Sequence, residues 1–296
     1  MRILVTGRDG QVGWELQRTL ARLGEVVAYS RTEFDLANPE SLREKMRALK
    51  PDWIINAAAY TAVDRAEQEE ASASTINGEA PGILAEEAKK LGAGFVHFST
   101  DYVFDGTKQT PYVETDPTNP LGAYGRTKLA GEQNVMAAGG RSWIFRTSWV
   151  YAPRGKNFML TILRLATERP RLRVVADQYG APTSAGLISD TVARFMATES
   201  AHRAAGGLYH LTADGRTSWH GFAEAIVQEG AARGLCPQVP IDPITTAEYP
   251  LPAKRPMNSV MDHQQLARDF GLQLPDWRDS LRQCMDELAA TRGASR

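Results

Sequence analysis

Apolar runs and helical periodicities alternate along the first half of the chain. Arg2–Thr6 is a short β-rich run that stops at Gly7, and Val12, Leu16, Leu20 and Leu23 then recur at helical spacing over Gln11–Leu23. Glu25–Tyr29 reads as a second strand. Asn38, Pro39, Glu40 and Ser41 read as a helix start, with a capping side chain followed by proline where its missing N–H costs nothing; that helix runs to about Lys50. Trp53–Ala58, apolar but for Asn56, reads as a third strand, buried on both faces. A helix over Ala80–Leu91 ends at Gly92, followed by a strand at Phe95–Ser99, a helix at Tyr124–Met136 and a strand at Trp143–Thr147.

Strands separated by helices pair in parallel through right-handed crossovers. The expectation is therefore an α/β fold: a doubly wound, Rossmann-like parallel sheet. Ligands of such sheets sit beyond the carboxyl ends of the strands. That directs attention to Gly7–Gly13, Ser30–Asp35, Ala57–Tyr60, Ser99–Tyr102 and Thr147–Tyr151. The second half is less regular. Helices are expected at Phe158–Thr167, Leu187–Met196, Trp219–Glu229 and Trp277–Ala289, a short strand at Arg173–Ala176, and a strand at Leu208–Thr212 that returns to the sheet. Pro237–Pro256 is proline-rich. The expected division is a dinucleotide-binding unit, 1–150 with 186–213, and a smaller, discontinuous α/β substrate unit, 151–185 with 214–296.

Composition narrows the partners. The chain has 296 residues and a formal charge of −1, so no global field draws it to nucleic acid or to a membrane surface. No apolar stretch is long enough to span a bilayer, and the start is too short in apolar residues for a signal-peptide core. Two cysteines, Cys236 and Cys284, are too few for a disulfide framework. The expected setting is the cytoplasm.

Three constellations carry chemistry. Gly7, Gly10 and Gly13 follow the first strand in a G-x-x-G-x-x-G turn that opens the first helix. A dinucleotide pyrophosphate needs such bare backbone and a helix N-terminus directed at its charge. The second strand ends Tyr29-Ser30-Arg31, a hydroxyl and a guanidinium in place of the acid that holds the ribose in NAD enzymes. This favours NADPH and leaves NADH open; the competing reading of Arg31 is a solvated surface charge. Asp35, beside Leu36, stands where an aspartate contacts adenine or helps cap the next helix. Finally, Tyr124 and Lys128 lie four apart, on one face of a helix. A lysine cation there favours phenolate and draws the phenol toward working range. Thr100, with Asp101 and Tyr102, closes the fourth strand just before, where a hydroxyl polarises a substrate carbonyl.

With these motifs in order, the chain resembles the extended short-chain dehydrogenase/reductases and, within them, the dTDP-4-dehydrorhamnose reductase family. The resemblance spans essentially the whole chain and includes Gly7–Leu20, Asn56–Asp64, Ser99–Gly106, Tyr124–Glu132, Phe145–Tyr151, Asp177–Thr183 and Tyr249–Ser259. It implies Tyr124 as proton donor, Lys128 as its partner and ribose anchor, and Thr100 at the reacting centre with Asp101 beside it. It further implies Gly10, Gln11 and Val12 on the pyrophosphate, and Ala57, Ala58 and Ala59, followed by Tyr60, along the nicotinamide side. Trp149 would pack on the sugar, or else be a core aromatic. Asn157, Gln178 and Arg255 would reach the sugar nucleotide from the second unit, the alternative for Arg255 being a surface ion pair.

The implied reaction is reduction of the 4-keto group of a dTDP-6-deoxy-L-sugar by NADPH, giving dTDP-L-rhamnose. A related 4-ketoreductase of another deoxysugar and a non-catalytic dinucleotide-binding regulatory subunit are the rivals. A 4,6-dehydratase is disfavoured because Tyr102, and no glutamate, follows Asp101. The resemblance also allows a homodimer, in some relatives linked by Mg²⁺ through carboxylates. Glu15 and Glu287 suit that role, but the middle position is Gly186, so no metal is expected to be required.

Overall fold

The computed structural model describes residues 1–203 and 206–293; residues 204–205 and 294–296, which fall inside the expected units, lie outside the described residues. Its centre is a six-stranded sheet of β1 (Arg2–Thr6), β2 (Glu25–Tyr29), β3 (Trp53–Asn56), β4 (Gly94–Thr100), β5 (Ser142–Thr147) and β6 (Gly206–His210). The strand order is β6-β5-β4-β3-β1-β2 and every pairing is parallel. The order reverses between β1 and β3, which opens a crevice beyond their carboxyl ends. The run around Leu208 does rejoin the sheet, pairing with β5 in register Leu208 to Ile144.

Helices cover both faces, and side-chain alternation assigns them. Ile3 and Val5 of β1 pack with Leu16 and Leu20 of α1 (Gln11–Leu20) and with Ile188, Val192 and Phe195 of a helix at Ala185–Met196. Leu4, between them, faces the other side and packs with Leu42 and Met46 of α2 (Pro39–Leu49) and Leu84 of α3 (Ala80–Leu91). A separate cluster gathers Tyr151, Met159, Phe222, Ile226, Trp277 and Met285, all from the less regular half.

Local chemistry sets the ends. The Asn38 side chain accepts from Ser41 N, Pro39 opens α2, and Lys50 closes it in the left-handed region. Asp35 leaves that cap to Asn38 and accepts from Ala37 N, two residues on, in an Asx turn. α1 stops at Leu20, three residues earlier than its periodicity predicts. Strand β3 stops at Asn56, two residues short of the expected Ala58, because the chain turns out of the ladder: Ala58 N donates to Thr6 Oγ1 and Tyr60 N to Asn77 Oδ1. The proline-rich stretch contributes a short strand, Ile241–Ile244, paired with Leu172–Val175. A helical run from Glu70 into a π turn at Thr75–Glu79, and a helix at Gln264–Phe270, are further elements absent from the sequence reading. No helix among the described residues is long and apolar enough to cross a membrane.

Candidate active site

The five strand-end segments singled out in the sequence all open onto one cavity of about 720 Å³. Gly7, Gly10, Gln11 and Val12 line it at one end, with Arg31, Asp35 and Leu36 at the rim. Two glycines there are dictated by geometry. Gly7 has φ +73, and a Cβ on it would lie 2.9 Å from Ala58 N; a Cβ on Gly13 would lie 2.0 Å from Gly7 O. Gly13 itself is buried beneath the turn and takes no part in the lining. Gly10 is the N-cap of α1 and has no side chain to satisfy the first-turn N–H groups. The helix start therefore stays available to an anion. This cradle fits a dinucleotide pyrophosphate.

Ala57, Ala58, Ala59 and Tyr60 form the adjoining wall. Thr100, Asp101, Tyr102, Tyr124 and Lys128 line the same cavity. Tyr124 and Lys128 come from α4 (Ala123–Ala138), packed against β4, which carries Thr100. Lys128 is buried, and its Nζ donates to Phe98 O at 2.6 Å and lies 3.3 Å from His97 Nε2. Burial pulls its pKa down to about 8, against the support of Glu132 one turn on. The phenol of Tyr124 moves up, to about 12, through burial and then the neighbouring Asp101 carboxylate, opposed by a hydrogen bond to Thr100. No influence of Lys128 on this phenol accompanies these: the Lys128 amine is turned back onto Phe98 O and His97. A tyrosine held protonated is in the state a proton donor needs. Asp101, also buried, is raised to about 6, while hydrogen bonds to Ser259 and Thr100 work the other way. Its Oδ1 accepts from Thr100 Oγ1 at 3.0 Å.

Trp149 lines the cavity too, with a left-handed backbone (φ +47). One face of its indole is stacked on Trp219, centroids 3.6 Å apart and 7° from parallel. The remaining candidates stand outside the lining. Ser30 donates through Oγ to Glu33 Oε2 at 2.6 Å, and its N–H bonds the same oxygen. Arg31 alone of that pair faces the cavity, exposed and outside every ion pair shown among the described residues. Asn157 caps the helix Phe158–Glu168, and its Nδ2 donates to Gln11 Oε1 at 2.8 Å. Buried Gln178 donates to Thr246 Oγ1. Arg255 forms a bidentate pair with Asp64 at 3.1 and 3.0 Å.

Two cations missed in the sequence, Arg154 and Lys156, line the cavity beside Gln11. Arg154 lies 4.1 Å over the Trp14 ring, and its Nη1 is buried with no hydrogen-bond partner. Their signal was two basic residues bracketing Gly155 just after the fifth strand. Elsewhere, Glu15 and Glu287 do come together, but Arg18 Nη1 bridges them at 3.3 and 3.4 Å; Gly186 lines the same depression.

A doubly wound sheet, a glycine cradle on its first helix, and Thr, Tyr and Lys gathered across from it define an extended short-chain dehydrogenase/reductase. The family described as RmlD substrate binding domain matches residues 1–290. A dTDP-4-dehydrorhamnose reductase of Burkholderia thailandensis is 54% identical over 97% of this chain and 99% of its own length. A Clostridium acetobutylicum structure of that description superposes with a TM-score of 0.91, at 38% identity, over 97% of this chain and 99% of that one. A Bacillus anthracis dTDP-4-dehydrorhamnose reductase in complex with NADP has a TM-score of 0.89 at 33% identity, covering 97% and 99%. The chain belongs to the dTDP-4-dehydrorhamnose reductase family.

Proposed function

We propose that this chain reduces the 4-keto group of dTDP-4-dehydro-L-rhamnose with NADPH, giving dTDP-L-rhamnose. The observation that carries the reading is the placement of Thr100, Tyr124 and Lys128 on one wall of the cavity that the glycine cradle closes. When bound, NADPH supplies the hydride that goes to sugar C4. Gly7, Gly10, Gln11 and Val12 would hold its pyrophosphate, with Arg154 and Lys156 adding positive charge. Lys128 would hold the nicotinamide ribose. Arg31 would take the 2′-phosphate, without the Ser30 hydroxyl that Glu33 occupies.

Thr100, its hydroxyl turned from Asp101 to the substrate carbonyl, would stabilise charge developing on that oxygen. Tyr124 then gives its proton to that oxygen. Asp101 and Tyr102 shape the sugar pocket, and Trp149 packs on the sugar with the face that Trp219 leaves free. Near-zero net charge suits two anionic ligands because the positive charge is local. The sheet unit (1–150 with 186–213) would bind the dinucleotide and the remainder the sugar nucleotide. Both cysteines are free and buried, in keeping with the cytoplasm. The test is consumption of NADPH by the purified chain with dTDP-4-dehydro-L-rhamnose, NADH run in parallel. Stoichiometric dTDP-L-rhamnose is expected, with a lower KM for NADPH. No turnover with cofactor bound would favour a regulatory subunit, and a preference for another keto-sugar would reassign the substrate.

A further inference from the structure

Behind Lys128 runs a continuous line of buried polar side chains that the chemistry above does not use. It crosses the sheet at matched register, Thr6 opposite Asn56 and Asn56 opposite His97. Thr6 Oγ1 accepts from Ala58 N at 3.1 Å and donates to Asn56 Oδ1 at 2.6 Å. Asn56 Nδ2 lies 3.1 Å from His97 Nδ1, and His97 Nε2 lies 3.3 Å from Lys128 Nζ. None of the four residues is more than 2% exposed.

Donor and acceptor counting leaves this line two arrangements. An ammonium has three donors and no acceptor. A charged Lys128 therefore needs a lone pair on His97 Nε2, which puts the ring proton on Nδ1 and requires the Asn56 carbonyl oxygen opposite it. A neutral amine reverses every step: it accepts from Nε2–H, Nδ1 accepts from the Asn56 amide N–H, and the Asn56 oxygen accepts from Thr6. Asn56 is oriented as in the second set, its Nδ2 toward His97 Nδ1 and its Oδ1 toward Thr6. The imidazole stays uncharged in both, since burial and then Lys128 hold its pKa well below the usual histidine range.

We propose that His97 is a positioning residue that ties the charge of Lys128 to the polarity of the Thr6–Asn56–His97 line, exchanging one neutral tautomer for the other as the amine gains or loses its proton. The inference rests on Lys128 serving Tyr124 in the reduction. After Tyr124 has given its proton to the substrate oxygen, Lys128 passes one N–H proton to the phenolate and becomes a neutral amine, which solvent recharges. With His97 behind it, the amine keeps a hydrogen-bond partner in both states. The charged groups that face it are Glu132, paired with Arg146 of β5, and, beside Tyr124, Asp101.

The test is the long-range ¹H–¹⁵N spectrum of histidine-labelled full chain at about pH 6.5 and about pH 9.5, either side of the lysine. Loss of a signal in His97→Gln assigns it. The expected result is a neutral ring at both values, Nδ1–H at the lower and Nε2–H at the higher. In Asn56→Asp, whose carboxylate only accepts, Nδ1–H is expected at both, and the basic limb of kcat/KM moves up by about one pH unit or more. One tautomer at both values in the wild type, or an imidazolium, overturns the proposal. So does a pH profile unmoved in Asn56→Asp while NADPH fluorescence shows the cofactor bound. Failure of the wild type to reduce the keto-sugar would count against the proposed reaction instead, and the tautomer measurement needs no turnover.

Discussion

The two halves of the cavity's surroundings treat their polar residues differently. On the sheet side, Thr100 and Lys128 are buried and Tyr124 half-buried, yet all three face the cavity, and desolvation shifts the pKa of the tyrosine and lysine. Beyond residue 150, Asn157, Gln178 and Arg255 are committed to partners of their own: a helix cap and Gln11, Thr246, and Asp64. A side chain that is bonded inside the protein and does not line the cavity acts on a ligand by what it holds in place. The sheet side should therefore respond to substitution through turnover, and these three residues chiefly through stability and affinity.

The largest expected effect is at Lys128. Lys128→Met should lower kcat by roughly 10²-fold or more and raise the KM for NADPH, since general acid–base partners contribute about 10²–10⁴-fold. Steady-state kinetics with a circular-dichroism check of folding measures it; a change in KM alone would move Lys128 to the merely positioning side. Next is Asp101→Asn. The folded carboxyl is raised above its usual 3.8 to about 6, so the folded state binds more protons and loses stability as pH rises across that window. Removing the charge should stabilise the protein at pH above 6, by roughly 1–3 kcal/mol at about 1.4 kcal/mol per pKa unit, and the gain should shrink as pH falls toward 4. Melting temperatures across that range decide it, and a gain independent of pH would contradict the burial argument.

Smaller effects separate holding from binding. Arg255→Gln should cost about 1–3 kcal/mol by stripping Asp64 of its part-buried partner, with the sugar-nucleotide KM rising less than about tenfold. A KM effect of a hundredfold at unchanged melting temperature would make Arg255 a direct ligand of the substrate. Asn157→Ala should cost about 1 kcal/mol for the lost cap. The same change frees Gln11, so NADPH affinity measured by fluorescence should fall a few-fold. An affinity unchanged in a destabilised variant would show that the Gln11 contact does not orient the cofactor loop.

What the sequence reveals follows the range of the interactions. Strands β1, β3 and β5 are legible because burial on both faces demands largely apolar runs, and the Tyr124–Lys128 pair because one helix turn fixes their common face. The Gly7–Gly13 turn is legible because backbone contact excludes side chains. Partners set by tertiary contact are not: nothing local to Ser30 announces that Glu33 takes its hydroxyl and N–H. His97 sits in an apolar strand, and its role emerges only once Asn56 and Lys128 flank it. The π turn at Thr75–Glu79 places Asn77 to hold Tyr60, a contact between segments 17 residues apart. Arg154 and Lys156 were overlooked because a basic loop reads as solvated surface until the fold puts it across the crevice.

The central claim is that Tyr124 supplies the proton. Tyr124→Phe keeps the ring and its edge contact with Tyr102 but removes the hydroxyl. Single-turnover oxidation of bound NADPH by dTDP-4-dehydro-L-rhamnose tests it. The account predicts wild-type cofactor binding with a hydride-transfer rate lowered by roughly 10²–10⁴-fold. A rate equal to the wild type would contradict it.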